Sequence, residues 1–226
     1  MAEIKVFESI MNRNNALAEK NKKLLKGALV INLMSSPGAG KTSLLEKSLK
    51  SLSKKYRTGV IEGDIATSND ADRIKRHLSP SSVYQIKTEN YGGGCHLDSK
   101  MIAKAVKAIK ADKKPYDIII IENVGNLICP ADFYLGEDKK VVMLSVTEGD
   151  DKPLKYPGMF AAADLVILSK TDLLKHLDFS LKKAEKYIRK VNKKTLILNM
   201  SVKKNEGMKQ WLGIMGEWVK RKRALF

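Results

Sequence analysis

Cysteine is scarce in this chain: Cys95 and Cys129 stand alone among 226 residues. Two thiols cannot staple a disulfide scaffold, and they point to a reducing compartment. Residues 1–15 hold no apolar leader segment, and no run approaches the length of a membrane span. The expectation is a cytoplasmic protein with no membrane-spanning part. Internal repeats and low-complexity linkers are also missing, so the 43% hydrophobic content is expected to serve one core. We read residues 1–226 as a single domain, with an N-terminal helical extension over 1–27 and the main body over 28–226. Acids are in deficit, 25 against 42 Lys and Arg, for a formal charge of +17. That surplus raises nucleic acid or anionic lipid as partners. Yet the cations are dispersed at helical spacing, as in Leu181-Lys182-Lys183-Ala184-Glu185-Lys186-Tyr187-Ile188-Arg189-Lys190, which is how a solvated helix face reads. A nucleic-acid partner is not expected. The densest cluster, Lys220-Arg221-Lys222-Arg223, falls at the last turn of a helix, where cations also favour the macrodipole.

What is present is a regular alternation of strand and helix patterns from residue 28 onward. Strands are expected near 28–35, 57–63, 82–87, 116–122, 140–146, 164–169 and 195–200. Helices are expected near 41–54, 69–78, 97–112, 153–162, 178–192 and 205–221, with an extra amphipathic helix over 5–26 that packs at an edge or against a partner subunit. This order predicts an α/β fold, a mostly parallel central sheet with helices on both faces. Ile118-Ile119-Ile120-Ile121 is continuously apolar and β-branched, as a strand buried on both faces requires. It is expected to lie beside the first strand.

Between that first strand and the helix after it stands Ser35-Ser36-Pro37-Gly38-Ala39-Gly40-Lys41-Thr42, a phosphate-cradling loop at the strand-to-helix junction. Backbone N–H groups around Gly38, Ala39 and Gly40 close on phosphate oxygens, helped by the positive end of the next helix, which continues with Ser43. Lys41 reaches the β- and γ-phosphates, and the Thr42 hydroxyl is placed for a Mg2+ that bridges them. Ser35 stands where G-x-x-x-x-G-K-S/T has its first Gly. A second signal is Ser169-Lys170-Thr171-Asp172, which looks like the guanine signature N-K-x-D with Ser in place of Asn. Asp172 accepts two hydrogen bonds from guanine, the Lys170 stem lies along the base, and the loop around Ser201 offers a backbone N–H to the base oxygen. Coming after a phosphate loop, this predicts GTP. Asp64 and Glu122 end strands facing the phosphates and are the Mg2+ candidates, with Asp70 next in line. No Gln is obviously placed to orient an attacking water, so Asp64 is the candidate for that role.

Gly92-Gly93-Gly94-Cys95-His96 puts two transition-metal ligands side by side on a loop, and Cys129 follows a strand, also on a loop. A Cys-His pair is often merely structural, and three ligands are one short of a closed tetrahedral site. Thiolate and imidazole suit Ni2+, copper or Zn2+. Elsewhere, His77 and His176 read as surface histidines, and Trp211 and Trp218, seven apart, as a core stripe.

The chain resembles the hydrogenase nickel-incorporation GTPases of the HypB type. The resemblance spans about residues 5–220 and rests on the phosphate loop, Glu62-Gly63-Asp64, Asn69-Asp70-Ala71-Asp72-Arg73, Cys95-His96-Leu97, Ile121-Glu122-Asn123-Val124-Gly125-Asn126-Leu127-Ile128-Cys129-Pro130, Glu148-Gly149-Asp150-Asp151-Lys152 and Lys155-Tyr156-Pro157. It implies a P-loop GTPase that hydrolyses GTP with Mg2+. It implies Cys95, His96 and Cys129 as ligands of Ni2+ or Zn2+ at a dimer interface promoted by GTP and metal. Lys152 is implied to approach the nucleotide across that dimer. The implied partners are hydrogenase maturation proteins and a hydrogenase precursor. The chain lacks the N-terminal cysteine motif and histidine-rich stretch of some members, which speaks against nickel storage. The loop before Cys95 is longer than usual, and Ser68 replaces a more usual acid or amide. Related urease nickel GTPases carry Cys-Pro-His where this chain has Cys129-Pro130-Ala131, which favours hydrogenase over urease maturation. The rivals from other classes are a nucleic-acid-associated P-loop ATPase, a small-molecule kinase and a structural metal protein.

Overall fold

A computed structural model describes residues 2–79, 82–91, 94–111 and 114–226. Seven parallel strands form one sheet: β1 (Leu29–Ser35), β2 (Thr58–Asp64), β3 (Val83–Lys87), β4 (Ile118–Glu122), β5 (Lys139–Ser145), β6 (Leu165–Ser169) and β7 (Leu196–Asn199). Their order is β3-β2-β4-β1-β5-β6-β7. Every expected strand is found, and β4 pairs with β1 as anticipated, Leu29 against Ile118 through Leu33 against Glu122. The chain runs outward from β1 to β2 in one direction and from β4 to β5 in the other. The carboxyl end of β1 is therefore a topological switch point, where open α/β sheets bind ligands.

Alternation along the strands divides the core. Leu29, Ile31 and Leu33 of β1 and Ile118 and Ile120 of β4 face one side. There they meet Leu44, Leu45 and Leu49 of α2 (Lys41–Leu52), Ile74 of α3 (Asn69–Lys75), and Trp211 and Met215 of α9 (Met208–Arg223). On the other side, Ile119 and Ile121 pack on Ile102 and Val106 of α4 (Ser99–Ala111). Val142 and Val166 pack on Phe160 of α7 (Pro157–Ala161) and Ile188 of α8 (Leu181–Val191). The tryptophan stripe is core: Trp211 and Trp218 meet edge to face at 6.5 Å, and the Trp211 indole donates to Ser48 Oγ at 2.8 Å.

Several boundaries differ from expectation. The helix expected over 153–162 is two short ones, α6 (Lys152–Lys155) and α7, because Pro157 cannot continue α6 and instead opens the next turn. Asp112, the last residue expected in α4, lies outside the described residues, as do Gly92 and Gly93 of the loop before Cys95. Residues 178–180 stay outside α8, whose Ser180 caps it by accepting from Lys183 N. The N-terminal helix, α1 (Ala2–Leu24), packs on its own chain against α4. Asn21 donates to Ser99 O and Asn14 to Tyr134 O, both at 2.8 Å, which explains its buried asparagines. No described helix is long and apolar enough to cross a membrane. In the C-terminal basic run, Lys222 pairs with Asp138 and Arg223 with Asp117, each at 2.7 Å. Part of the surplus charge is thus tied to the sheet's amino-terminal edge.

Candidate nucleotide cleft and adjoining thiol site

The loop after β1 opens a cleft of about 420 Å³ at the switch point. Gly38 and Gly40 adopt φ of 74° and 101°, and Gly40 hands the chain to α2 from that left-handed conformation. A side chain at either would meet open space, so glycine is needed for backbone conformation rather than for room. Ser35 is not among the residues with positive φ, which is why it can replace glycine. Its hydroxyl instead lies 3.1 Å from the Lys41 ammonium, so the departure from the motif holds Lys41 inside the loop. Burial lowers the Lys41 pKa, opposed chiefly by Glu122. Ser36 Oγ donates to Glu148 at 2.5 Å, and Ser145 N to the other oxygen of that carboxylate at 3.1 Å, bracing the loop against β5.

Thr42 Oγ1 donates to Glu122 Oε1 at 2.7 Å. Beside Glu122 in sheet register lies Glu62. The two are 3% and 2% exposed, and the Oε2 atom of each is buried without a hydrogen-bond partner among the described residues. Burial pushes Glu122 up to about 7, with Lys41 and Thr42 opposing. Burial, then the neighbouring Glu122, pushes Glu62 up to about 8. Orphaned carboxylate oxygens next to a threonine hydroxyl are a hard-oxygen donor set that fits Mg2+. Asp64 lines the cleft, held by Ile65 N and Thr67 Oγ1. Asp70 also lines it and pairs with Arg73 at 3.1 Å. Arg73 lies 2.5 Å from Glu46 as well. Glu62 was not singled out as a site residue from the sequence. The available signal was the two-residue spacing of Glu62 and Asp64, which puts both on one face of a strand.

A second recess of about 410 Å³ shares Gly40, Ser43 and Lys170 with the first and adds Ala39, Ser169, Asp172, Val202 and Lys203. Lys170 sits at φ 60°, a left-handed conformation unusual for a side-chain-bearing residue. Ser169, in the place of the usual Asn, donates its hydroxyl to Ala39 O at 2.8 Å, linking β6 to the phosphate loop. Ser201 is redirected. Its backbone N–H is committed to Glu206 O at 3.1 Å, so it is not the amide left for a base. Its hydroxyl instead donates to Asp172 at 2.6 Å and holds that carboxyl below the usual range. Lys152 lies outside the linings of both cavities, its ammonium 5.2 Å from the Tyr156 ring.

Cys95, His96 and Cys129 come together with their ligand atoms within 4.8 Å of one another. The two thiols are free, their sulfurs 2.9 Å apart, well beyond the roughly 2.05 Å of a disulfide. The hydrogen bond with Cys95, then burial, raises the Cys129 thiol. The His96 ring stacks on Phe133 at 3.9 Å, and burial lowers its pKa, favouring the neutral imidazole that binds metals. Cys129 was expected on a loop; it opens a one-turn helix, α5 (Cys129–Asp132), whose first turn accepts Pro130.

The nucleotide-binding domain model described as CobW/HypB/UreG matches residues 29–199. The chain belongs to that family. Among its relatives is the hydrogenase maturation factor HypB of Escherichia coli strain K12, 47% identical over 99% of this chain and 73% of that protein. A crystal structure of HypB from Helicobacter pylori in complex with nickel superposes with a TM-score of 0.85 at 38% identity, covering 93% of this chain and 97% of that one. HypB from Archaeoglobus fulgidus gives 0.83 at 34% identity, over 92% and 99%. The fold expected from the sequence, a P-loop NTPase architecture, is the fold of these HypB structures.

Proposed function

We propose that this member of the family is a Mg2+-dependent, GTP-hydrolysing nickel metallochaperone that assists nickel insertion during maturation of a nickel–iron hydrogenase in the cytoplasm. The observation that supports it most is proximity along the chain: Glu122, beside Thr42 at the phosphate cleft, and Cys129, in the thiol cluster, stand on one short segment. When bound, GTP with Mg2+ supplies the scissile anhydride and part of its charge neutralisation. Lys41 and the backbone of Gly38, Ala39 and Gly40 bind and orient the phosphates. Thr42, Glu122 and Glu62 furnish oxygen ligands, with Asp64 facing the same cleft to order metal or the attacking water. Asp172, aimed by Ser201, selects guanine, and the Lys170 stem supports the base. Cys95, His96 and Cys129 carry Ni2+ as cargo, and Zn2+ suits the same donors.

The nucleotide state acts through the segments after Asp64 and Glu122, which move when a γ-phosphate is present and return after hydrolysis. That movement promotes a homodimer, in which Lys152 reaches the partner's nucleotide, and alters the affinity for nickel. Hydrogenase maturation proteins and the hydrogenase precursor are the receivers. Light scattering on size-exclusion eluates, together with Ni2+ titration, in GDP and in a non-hydrolysable GTP analogue, is the test. A larger mass and a changed affinity with the analogue are expected; equal mass and equal affinity in both states overturn the reading.

A further inference from the structure

The covalent path from Glu122 to Cys129 reaches only half of the thiol cluster; Cys95 and His96 lie on a different loop, after β3. Beside the surface contacts of Cys95 with Cys129 and of His96 with Phe133, a buried side chain joins the two loops. Asn123, 1% exposed and part of the phosphate-cleft lining, receives the Leu97 N–H on its Oδ1 at 3.2 Å, one residue beyond His96. The same oxygen accepts from Val124 N at 2.9 Å, while Asn123 Nδ2 donates to Asn32 Oδ1 on β1 at 3.2 Å. Its own N–H is held by Leu33 O at 3.0 Å, so the residue is anchored to the strand that carries the phosphate loop.

The packing leaves little slack around this bond. Leu97 is fully buried, and a Cβ built on Gly63 of β2 would come within 2.7 Å of its side chain. A Cβ on Gly125 would come within 2.9 Å of the Pro37 backbone. The loop after β4 therefore touches the phosphate loop on one side and grips the loop bearing His96 on the other. Both contacts are close enough that a shift of residues 123–125 must move one neighbour or break the bond to Leu97.

We propose that Asn123 is a positioning residue that transmits nucleotide state to the Cys95-His96 half of the metal site through its hydrogen bond to Leu97 N–H. This rests on the reading that nucleotide and nickel affinities are linked. Asn123→Ala removes the acceptor and leaves all three metal ligands in place. The informative quantity is the ratio of Ni2+ affinities in the GDP and GTP-analogue states, because a uniform loss from a merely structural defect cancels in it. Coupling of ordinary size gives a ratio of about 5- to 150-fold in wild type, and the variant is expected to fall within about twofold of unity. A wild-type ratio that survives in Asn123→Ala overturns the relay alone; a wild-type ratio of one overturns the linkage and the relay together. Hydrogen exchange of the Leu97 amide in the wild-type chain provides a test independent of the variant's folding. Protection that differs between the two nucleotide states is expected, and identical protection overturns the relay.

Discussion

At the phosphate cleft, Lys41, Thr42, Glu62 and Glu122 are all buried, and each hangs from the end of a strand or the first turn of a twelve-residue helix. At the thiol cluster, Cys95 is exposed, His96 and Cys129 are half-buried, and the supports are a loop and a helix of four residues. The cleft holds its groups through the sheet, whereas the cluster's side chains are held mainly by each other and by Phe133, the Cys95-His96 loop having its buried anchor at the neighbouring Leu97. The contrast bears on function. A preorganised cleft favours tight, geometrically demanding phosphate chemistry. Exposed or half-buried side chains that lean on one another rather than on a strand cost little to rearrange, which is what taking up and releasing an ion requires.

The largest effect that would break this contrast is at Lys41. Lys41→Ala removes a buried cation from the phosphate loop, and GTP turnover is expected to fall about 10²- to 10³-fold, measured as phosphate release under saturating Mg2+. Turnover within tenfold of wild type, roughly 1.4 kcal/mol of barrier, would show that the cleft does not work through that charge. Asp172→Ala comes next. Two charge-assisted hydrogen bonds at about 1.5–3 kcal/mol each put the expected loss of preference for GTP over ATP at about 100-fold or more. Ser201→Ala, which leaves the carboxylate but removes the group aiming it, is expected to cost less, and an effect equal to that of Asp172→Ala would contradict its supporting role.

The opposite site sharpens the contrast from the other side. Cys129→Ala should weaken Ni2+ binding by more than the roughly 10- to 100-fold typical of losing a supporting hydrogen bond around a metal. Melting temperature in the absence of metal should hardly move, because a half-exposed side chain away from the core changes stability by only about 0.5 kcal/mol. A large loss of stability would mean that the thiol belongs to the core rather than to a carrier site.

How much of this was legible in the sequence follows from the same contrast. The sheet could be read because β1, β4, β5 and β6 are short apolar runs up to their last residue, interrupted only by Asn32 in β1 and by the leading Lys139-Lys140 in β5, and the phosphate loop because its chemistry fixes a contiguous pattern. Cys95, His96 and Cys129 could be named as candidate metal ligands from residue type and family resemblance. Their mutual approach could not, since it depends on how the loops after β3 and β4 cross. Glu62 was hidden by Asp64, two residues on, which lies nearer the strand end and looked the better ligand. Its burial beside Glu122 is a property of strand register, which no local pattern encodes. Ser201 misled for a related reason: a small antiparallel bridge to Glu206 takes its N–H and turns the hydroxyl toward Asp172.

Glu62 gives the effect that reads the cleft's preorganisation most directly, through stability rather than turnover. Its carboxyl ionises near the ordinary 4.5 in the unfolded chain and at about 8 when folded, so between those values the folded state holds the extra proton. Stability must therefore fall as pH rises through that window and level off above it, and the loss is of the order of a few kcal/mol. Glu62→Gln, neutral at every pH, is expected to flatten much of the decline and to raise the melting temperature of the nucleotide-free protein at pH 8. Glu122, pushed up to about 7, leaves a smaller residual slope. Mg2+ with GDP should act in the same direction on the wild-type chain, because a cation beside the two carboxylates favours their charged forms. Melting curves from pH 5 to 8.5, with and without Mg2+ and GDP, separate the cases. A nucleotide-free protein that grows more stable as pH rises through this window would mean that these carboxylates are already ionised and solvated. The cleft would then be no more preorganised than the cluster beside it.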